Sequence, residues 1–179
     1  MTADAAIASR ELLAWDTLAQ VPDPEVPVLS VCDLGIVRDV VCDAAGTRVV
    51  LTPTYSGCPA TEVIADSVRQ ALEGAGLGPV SVSHRLAPAW TSDWISAQGR
   101  ERLLAYGIVP PGAACGVACG AESGAGTGEQ KVHLRPRALA CPRCASLNTE
   151  RLSAFGSTAC KALHRCLDCR EPFEYFKPI

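Results

Sequence analysis

The chain has 179 residues, 48% of them hydrophobic and 20% charged, with a net charge of −3. That length suits one ordinary domain with an appendage or two small domains, and the composition is that of a folded globular protein. It excludes a helical membrane protein, because no apolar run approaches the roughly 18–20 residues a span requires, and the Ala-rich start with its early Asp4 lacks the basic region and apolar core of a signal peptide. A cytoplasmic protein with reduced thiols is therefore expected.

In chain order, residues 10–20 place Leu12, Leu13, Trp15, Leu18 and Ala19 at roughly helical spacing, which predicts a short amphipathic helix. Pro22, Pro24 and Pro27 then forbid helix. Residues 34–42 and 47–54 read as two strands, joined by a hairpin connection at Asp43-Ala44-Ala45-Gly46. Residues 59–72 form the clearest helix, with Ile64, Val68, Ala71 and Leu72 on one face and glycines 74 and 76 to end it. Residues 80–86 alternate as a third strand does. Thr91 or Ser92 is placed to cap a last helix that stops at Gly107. Residues 110–128, rich in Gly and Ala, read as linker. The expected fold class is α+β: a small helix-on-sheet domain over residues 1–109, a linker over 110–131, and a C-terminal four-cysteine ribbon over 132–179.

Charge divides the same way. Residues 1–131 carry 8 Lys and Arg against 15 Asp and Glu, a net of −7, whereas residues 132–179 carry 8 against 4, a net of +4. Four thiolates around a dication contribute about −2, which the basic tail offsets in part. Nucleic acid is not the expected partner of so local a positive charge.

The ten cysteines are unevenly spread, with five in the last 39 residues. Cys141-Pro142-Arg143-Cys144 and Cys166-Leu167-Asp168-Cys169 form two CxxC turns separated by 21 residues. Each turn points two sulfurs into one concavity, and two turns complete a tetrahedral shell. The tail has few large apolar groups, so a bound metal would supply the missing stabilisation, on the order of 10 kcal/mol. Zinc is the expected ion, with an iron–sulfur cluster on the same cysteines as the alternative. Cys160 is either a bystander or a substitute ligand, and His164 reads as a surface residue. Cys115 and Cys119, a CxxxC in the linker, are assigned no role.

Cys58 precedes Pro59, which places it at the N-cap of the second helix, where the dipole and free N–H groups lower a thiol's pKa. Such a thiol is suited to attack an electrophile or hold a soft metal transiently; the plain alternative is a packed cap. Asp23 and Glu25 are candidate cation ligands or turn residues.

Asp23-Pro24-Glu25-Val26-Pro27, Asp33-Leu34-Gly35-Ile36 and Thr54-Tyr55-Ser56-Gly57-Cys58-Pro59 resemble the signature of small iron–sulfur assembly accessory domains, over about residues 10–108. With the ribbon from Phe155 to Ile179, the whole chain resembles the PaaD family, accessory proteins of the multicomponent phenylacetyl-CoA epoxidase of aerobic phenylacetate degradation. The resemblance implies a maturation role, with Cys58 as the reactive, metal-handover thiol, Asp23 and Glu25 as its acidic motif, and the oxygenase or reductase subunits as partners. The chain has neither the Glu-x-x-His pairs of di-iron bundles nor a dinucleotide-binding fingerprint. A bridging subunit, a thiol enzyme and a homodimer stay open as alternatives.

Overall fold

The computed structural model describes residues 3–112 and 139–179. Helix α1 (Ala3–Leu18) begins earlier than the apolar spacing suggests, since the Ala-rich start is itself good helix former. Its buried contacts also differ from the expected face. Ala14 and Leu18 enter the core, whereas Leu12, Leu13 and Trp15 are exposed. Strands β1 (Val37–Asp43) and β2 (Gly46–Leu51) form the expected antiparallel hairpin. Gly46, at φ +138°, is required there, because a Cβ would fall 2.2 Å from the carbonyl of Pro79.

Helix α2 (Thr61–Gly74) buries Ile64, Ala65, Val68 and Leu72 and returns the chain to β3 (Val80–His84), which pairs parallel with β2. The three strands run in the order β1-β2-β3, with α1 against β1, α2 against β3, and the two helices touching. The last helix of this unit starts later than its polar residues suggest. Thr91 leads only into a short 3-10 turn (Ser92–Trp94). Ser96 caps α3 (Ala97–Tyr106) by accepting the N–H of Gly99, and Gly107 ends it in the left-handed conformation.

The motif at Asp33 is a structural bracket. Its carboxylate accepts from Ser30 Oγ at 2.9 Å, Ser96 Oγ at 3.0 Å and Arg102 Nη1 at 2.7 Å, tying the loop before β1 to α3. Burial alone would raise its pKa, but the Ser30 and Ser96 hydrogen bonds and the Arg102 charge hold it below the usual carboxylate value. Gly35 passes so close to Trp94 that a Cβ would lie 2.6 Å from its carbonyl oxygen.

A second sheet contains β4 (Ile108–Val109), β5 (Thr149–Ser153), β6 (Lys161–Cys166) and β7 (Pro172–Phe176), in the order β4-β7-β6-β5. The first of these follows α3 directly, so the front unit donates a strand to the ribbon's sheet. Phe176 and Cys160 sit in the same apolar cluster as Leu34, Ile64 and Trp90, and Phe176 is fully buried. The ribbon is thus docked on the front unit through a shared sheet and a shared core. Residues 113–131 of the expected linker, with Cys115 and Cys119, and the first residues of the expected ribbon, 132–138, lie outside the described residues.

Candidate functional site

The two CxxC turns fold alike. Cys141 N–H donates to the Ser146 carbonyl at 2.9 Å, and Cys166 N–H donates to the Glu171 carbonyl at 3.0 Å. The residue after the second cysteine of each turn, Ala145 and Arg170, adopts φ near +60°, which curls the chain back over its sulfurs. Ser146 Oγ and Asn148 Nδ2 both donate to Asp168, clasping one turn to the other. Cys141 and Cys166 are buried, and Cys144 and Cys169 are exposed.

All four sulfurs lie within 4.8 Å of one another. Across the turns, Cys141 to Cys169 is 3.7 Å and Cys144 to Cys166 is 3.6 Å. A tetrahedral ion with metal–sulfur bonds of about 2.3 Å sets its sulfurs about 3.8 Å apart, so this donor set fits a single metal ion. Backbone N–H groups of Cys169 and Asp168 point at Cys166 and hold its thiol down to about 7, favouring the ligating thiolate. His164 is not on the surface: it is buried, stacked on Phe173 at 5.6 Å and edge-on to Tyr175 at 5.9 Å.

The second candidate site lies between the two units. The loop after α1 and the loop from β2 to α2 bring Asp23, Glu25 and Cys58 to one cavity of about 10 Å³, closed on the ribbon side by Cys160 and Phe176. Cys58 therefore stands beyond the carboxyl end of a strand in a parallel β2-α2-β3 unit, a usual place for ligands. It is not the N-cap of α2, however. Ala60 holds that position, and Cys58 lies two residues before it. The expected lowering of its pKa is overturned as well. Burial pushes the Cys58 thiol up, the Ala60 N–H pulls it back, and the charges of Glu25 and Asp23 raise it further.

Asp23 is buried, and its Oδ1 accepts the N–H groups of Glu25 at 2.9 Å and Val26 at 2.7 Å. Burial outweighs those bonds and raises its pKa; Glu25 rises too, through burial and then Asp23. Opposite them lies buried Lys161, paired at 2.9 Å with Glu174. Sequence reasoning left Cys160 out of this site, since nothing in its spacing ties it to residues a hundred positions earlier.

Residues 125–177 match the PaaD zinc beta ribbon domain, and residues 14–83 match the iron-sulfur cluster assembly protein family. A protein of Escherichia coli K12 named as a putative subunit of 1,2-phenylacetyl-CoA epoxidase is 51% identical over 166 residues, covering 92% of this chain and 91% of that protein. The chain belongs to the PaaD family. Its PaaD-type front half is also similar to shorter proteins. The Fe-S protein maturation auxiliary factor YitW of Bacillus subtilis is 37% identical over 93 residues, 51% of this chain and 87% of its own. An Fe-S protein maturation auxiliary factor of Porphyromonas gingivalis is 36% identical over 83 residues, 45% of this chain and 78% of its own. A crystal structure of a DUF59 domain from Bacillus anthracis superposes with a TM-score of 0.53 at 24% identity, covering 56% of this chain and 96% of that one, which shows a common fold. The fold class is α+β with a four-cysteine ribbon, as the sequence implied. No helix among the described residues is long and apolar enough to cross a membrane.

Proposed function

We propose that this chain is a cytoplasmic maturation factor for the multicomponent phenylacetyl-CoA epoxidase, assisting assembly of an iron–sulfur or di-iron centre in the oxygenase or reductase subunits without catalysing a reaction itself. One observation carries this reading: Asp23, Glu25 and Cys58, the acidic motif and the thiol, line a single cavity. Soft sulfur beside hard carboxylate oxygen suits iron(II), which accepts both. The cysteine's raised pKa disfavours a neutral-pH nucleophile and suits a thiol that releases its proton only when a metal displaces it. The names of the relatives, an epoxidase component and two maturation auxiliary factors, point the same way.

In this reading the ribbon holds one structural zinc ion. The sulfur spacing supports a mononuclear ion over a four-iron cluster, in which each cysteine binds a separate iron and the sulfurs stand farther apart. Its electrons are not needed for the handover, and its closed shell offers no open position.

The test is Cys58→Ala in a host growing on phenylacetate. Growth should fail while the variant stays folded, and oxygenase or reductase isolated from that strain should be metal-poor. Fully metallated partners should turn over without this chain. Normal iron in the partners, or a requirement for this chain at each turnover, would replace maturation by the bridging-subunit reading.

A further inference from the structure

A buried thiol remains without a task. Cys160 is 4% exposed and sits one residue before β6, far in sequence from the acidic loop, yet it lines the same cavity as Cys58, Asp23 and Glu25. Thr158 Oγ1 lies 3.0 Å from its sulfur, and Lys177 N–H donates to its carbonyl at 2.9 Å, so the backbone on both sides is fixed. Asp23, 5% exposed, lines the same cavity and brings a carboxylate to the two thiols. The N–H groups of Glu25 and Val26 donate to its Oδ1 and hold the side chain in place at the cavity.

We propose that Cys160 is the ribbon's contribution to the cargo site: Cys58 and Cys160 are two thiolate ligands of one transiently held ferrous ion, with Asp23 as an oxygen ligand. This rests on the maturation reading and makes the site a property of the docked pair of units, not of the front unit alone. Capture replaces two S–H bonds with two Fe–S bonds and releases two protons to solvent, with no change in the iron's oxidation state. The cavity volume of about 10 Å³ holds one water-sized occupant, hence one ion, whereas a cluster would have to displace Phe176 or the cysteines themselves. Lys161 does not repel the ion strongly, because Glu174 neutralises it.

Unlike the ribbon sulfurs, the donors of this cavity are not all drawn within 4.8 Å of one another. Binding must pull them together, which weakens it, as a carrier that releases its load requires. The same strand joins both sites: Cys160 precedes β6, and Cys166, which ends β6, belongs to the four-cysteine set about 20 Å away. Loss of the ribbon metal would therefore loosen Cys160 from the cavity.

Full-length protein with zinc in the ribbon, titrated anaerobically with iron(II), tests this. Iron K-edge EXAFS should count two sulfur neighbours in the wild type. Cys160→Ser should retain its zinc, drop to one sulfur neighbour and bind iron about 10-fold or more weakly, by competition with a chelator. One sulfur neighbour in the wild type, or four, which places iron in the ribbon, overturns the proposal. So does an unchanged count and affinity in Cys160→Ser. If Cys58→Ala alone abolishes binding, Cys160 is excluded and the maturation reading stands. If neither variant changes binding, both fail. The wild-type sulfur count decides the matter even if Cys160→Ser does not fold.

Discussion

The ribbon knot and the Cys58 cavity both gather cysteines, but they differ in how closely their donors are drawn together. In the ribbon, four sulfurs from two local turns are already spaced for one tetrahedral ion, and an Asp168 clasp holds the turns together. At the cavity, two thiols and two carboxylates come from separate stretches and lie loosely around room for one small occupant. Burial raises the pKa of Cys58, Cys160, Asp23 and Glu25, so each resists its charged form until a cation arrives. Sulfurs already spaced for an ion bind tightly and stabilise a fold, whereas separated ligands that must be drawn together bind weakly and let go.

The largest effect expected from breaking this contrast is at the ribbon. Cys166→Ser should abolish metal binding and unfold the ribbon, a loss on the order of 10 kcal/mol of apparent binding energy. The front unit should suffer too, since Phe176 and Cys160 belong to its core. Metal analysis with limited proteolysis reads this; Cys58→Ala should leave ribbon metal unchanged, and equal loss in both variants would merge the two sites.

Next comes the contact between units. Phe176→Ala, at a fully buried ring 6.1 Å from Trp90, should cost about 3–5 kcal/mol. The ribbon's zinc content should persist, as its ligands are elsewhere. Urea unfolding followed by Trp fluorescence measures the loss, and an unchanged midpoint would mean the units do not share a core.

Asp33→Ala should cost about 3 kcal/mol, because it strips a buried charge-assisted network from the loop before β1. That corresponds to a Tm lower by roughly 6–12 °C for a chain of this size. Because the folded pKa of Asp33 lies below its unfolded value, its stabilisation is present above the ordinary Asp range and is lost as pH falls through the folded pKa. The wild-type and variant Tm curves should converge at acid pH.

Asp23→Asn has a smaller effect of the opposite sign. The folded pKa of Asp23 is raised, so its favourable protonated form is lost as pH rises through that value, and the charge is a liability at pH 7. The amide can still accept the Glu25 and Val26 N–H bonds. A modest rise in Tm at pH 7 should vanish below the ordinary carboxylate range, and iron(II) binding should weaken. A fall in Tm at pH 7 would show that the carboxylate serves structure instead of cargo.

The smallest effect is in thiol labelling. Cys58 is half-buried, Cys42 is buried, and burial and then the Asp33 charge raise Cys32 to about 11. Iodoacetamide should therefore reach Cys58 before either, slowly at pH 7 and about 10-fold faster per pH unit below its pKa. A rate flat from pH 7 to 9 would restore the N-cap thiolate that the fold argues against.

Much of this molecule was legible in the chain alone, where information is local. Two CxxC turns announce the ribbon because a turn of four residues suffices to aim two sulfurs at one point. The β1-β2 hairpin and the stripe Ile64, Val68, Leu72 are equally local, since period and turn chemistry act over a few residues. Helix α2 starts two residues later than the sequence predicts, because Pro59 suits a first turn as well as the approach to one. The exposed Leu12, Leu13 and Trp15 misled for a related reason: spacing shows that a face exists, not which face meets the core.

The cavity belongs to the other class. Asp23, Cys58 and Cys160 are separated by 34 and 101 intervening positions, and no periodicity couples residues at such distances. Their meeting follows from β7 pairing with β4 and from Phe176 entering the front core, contacts whose free energy comes from burying apolar surface between units. The amino-acid sequence by itself picked out the four cysteines that the ribbon gathers and the thiol candidate of the front unit. Only the tertiary structure decided that partial burial raises this thiol's pKa, and that the ribbon closes its cavity, because pKa and proximity depend on what packs around a group and not on its neighbours along the chain.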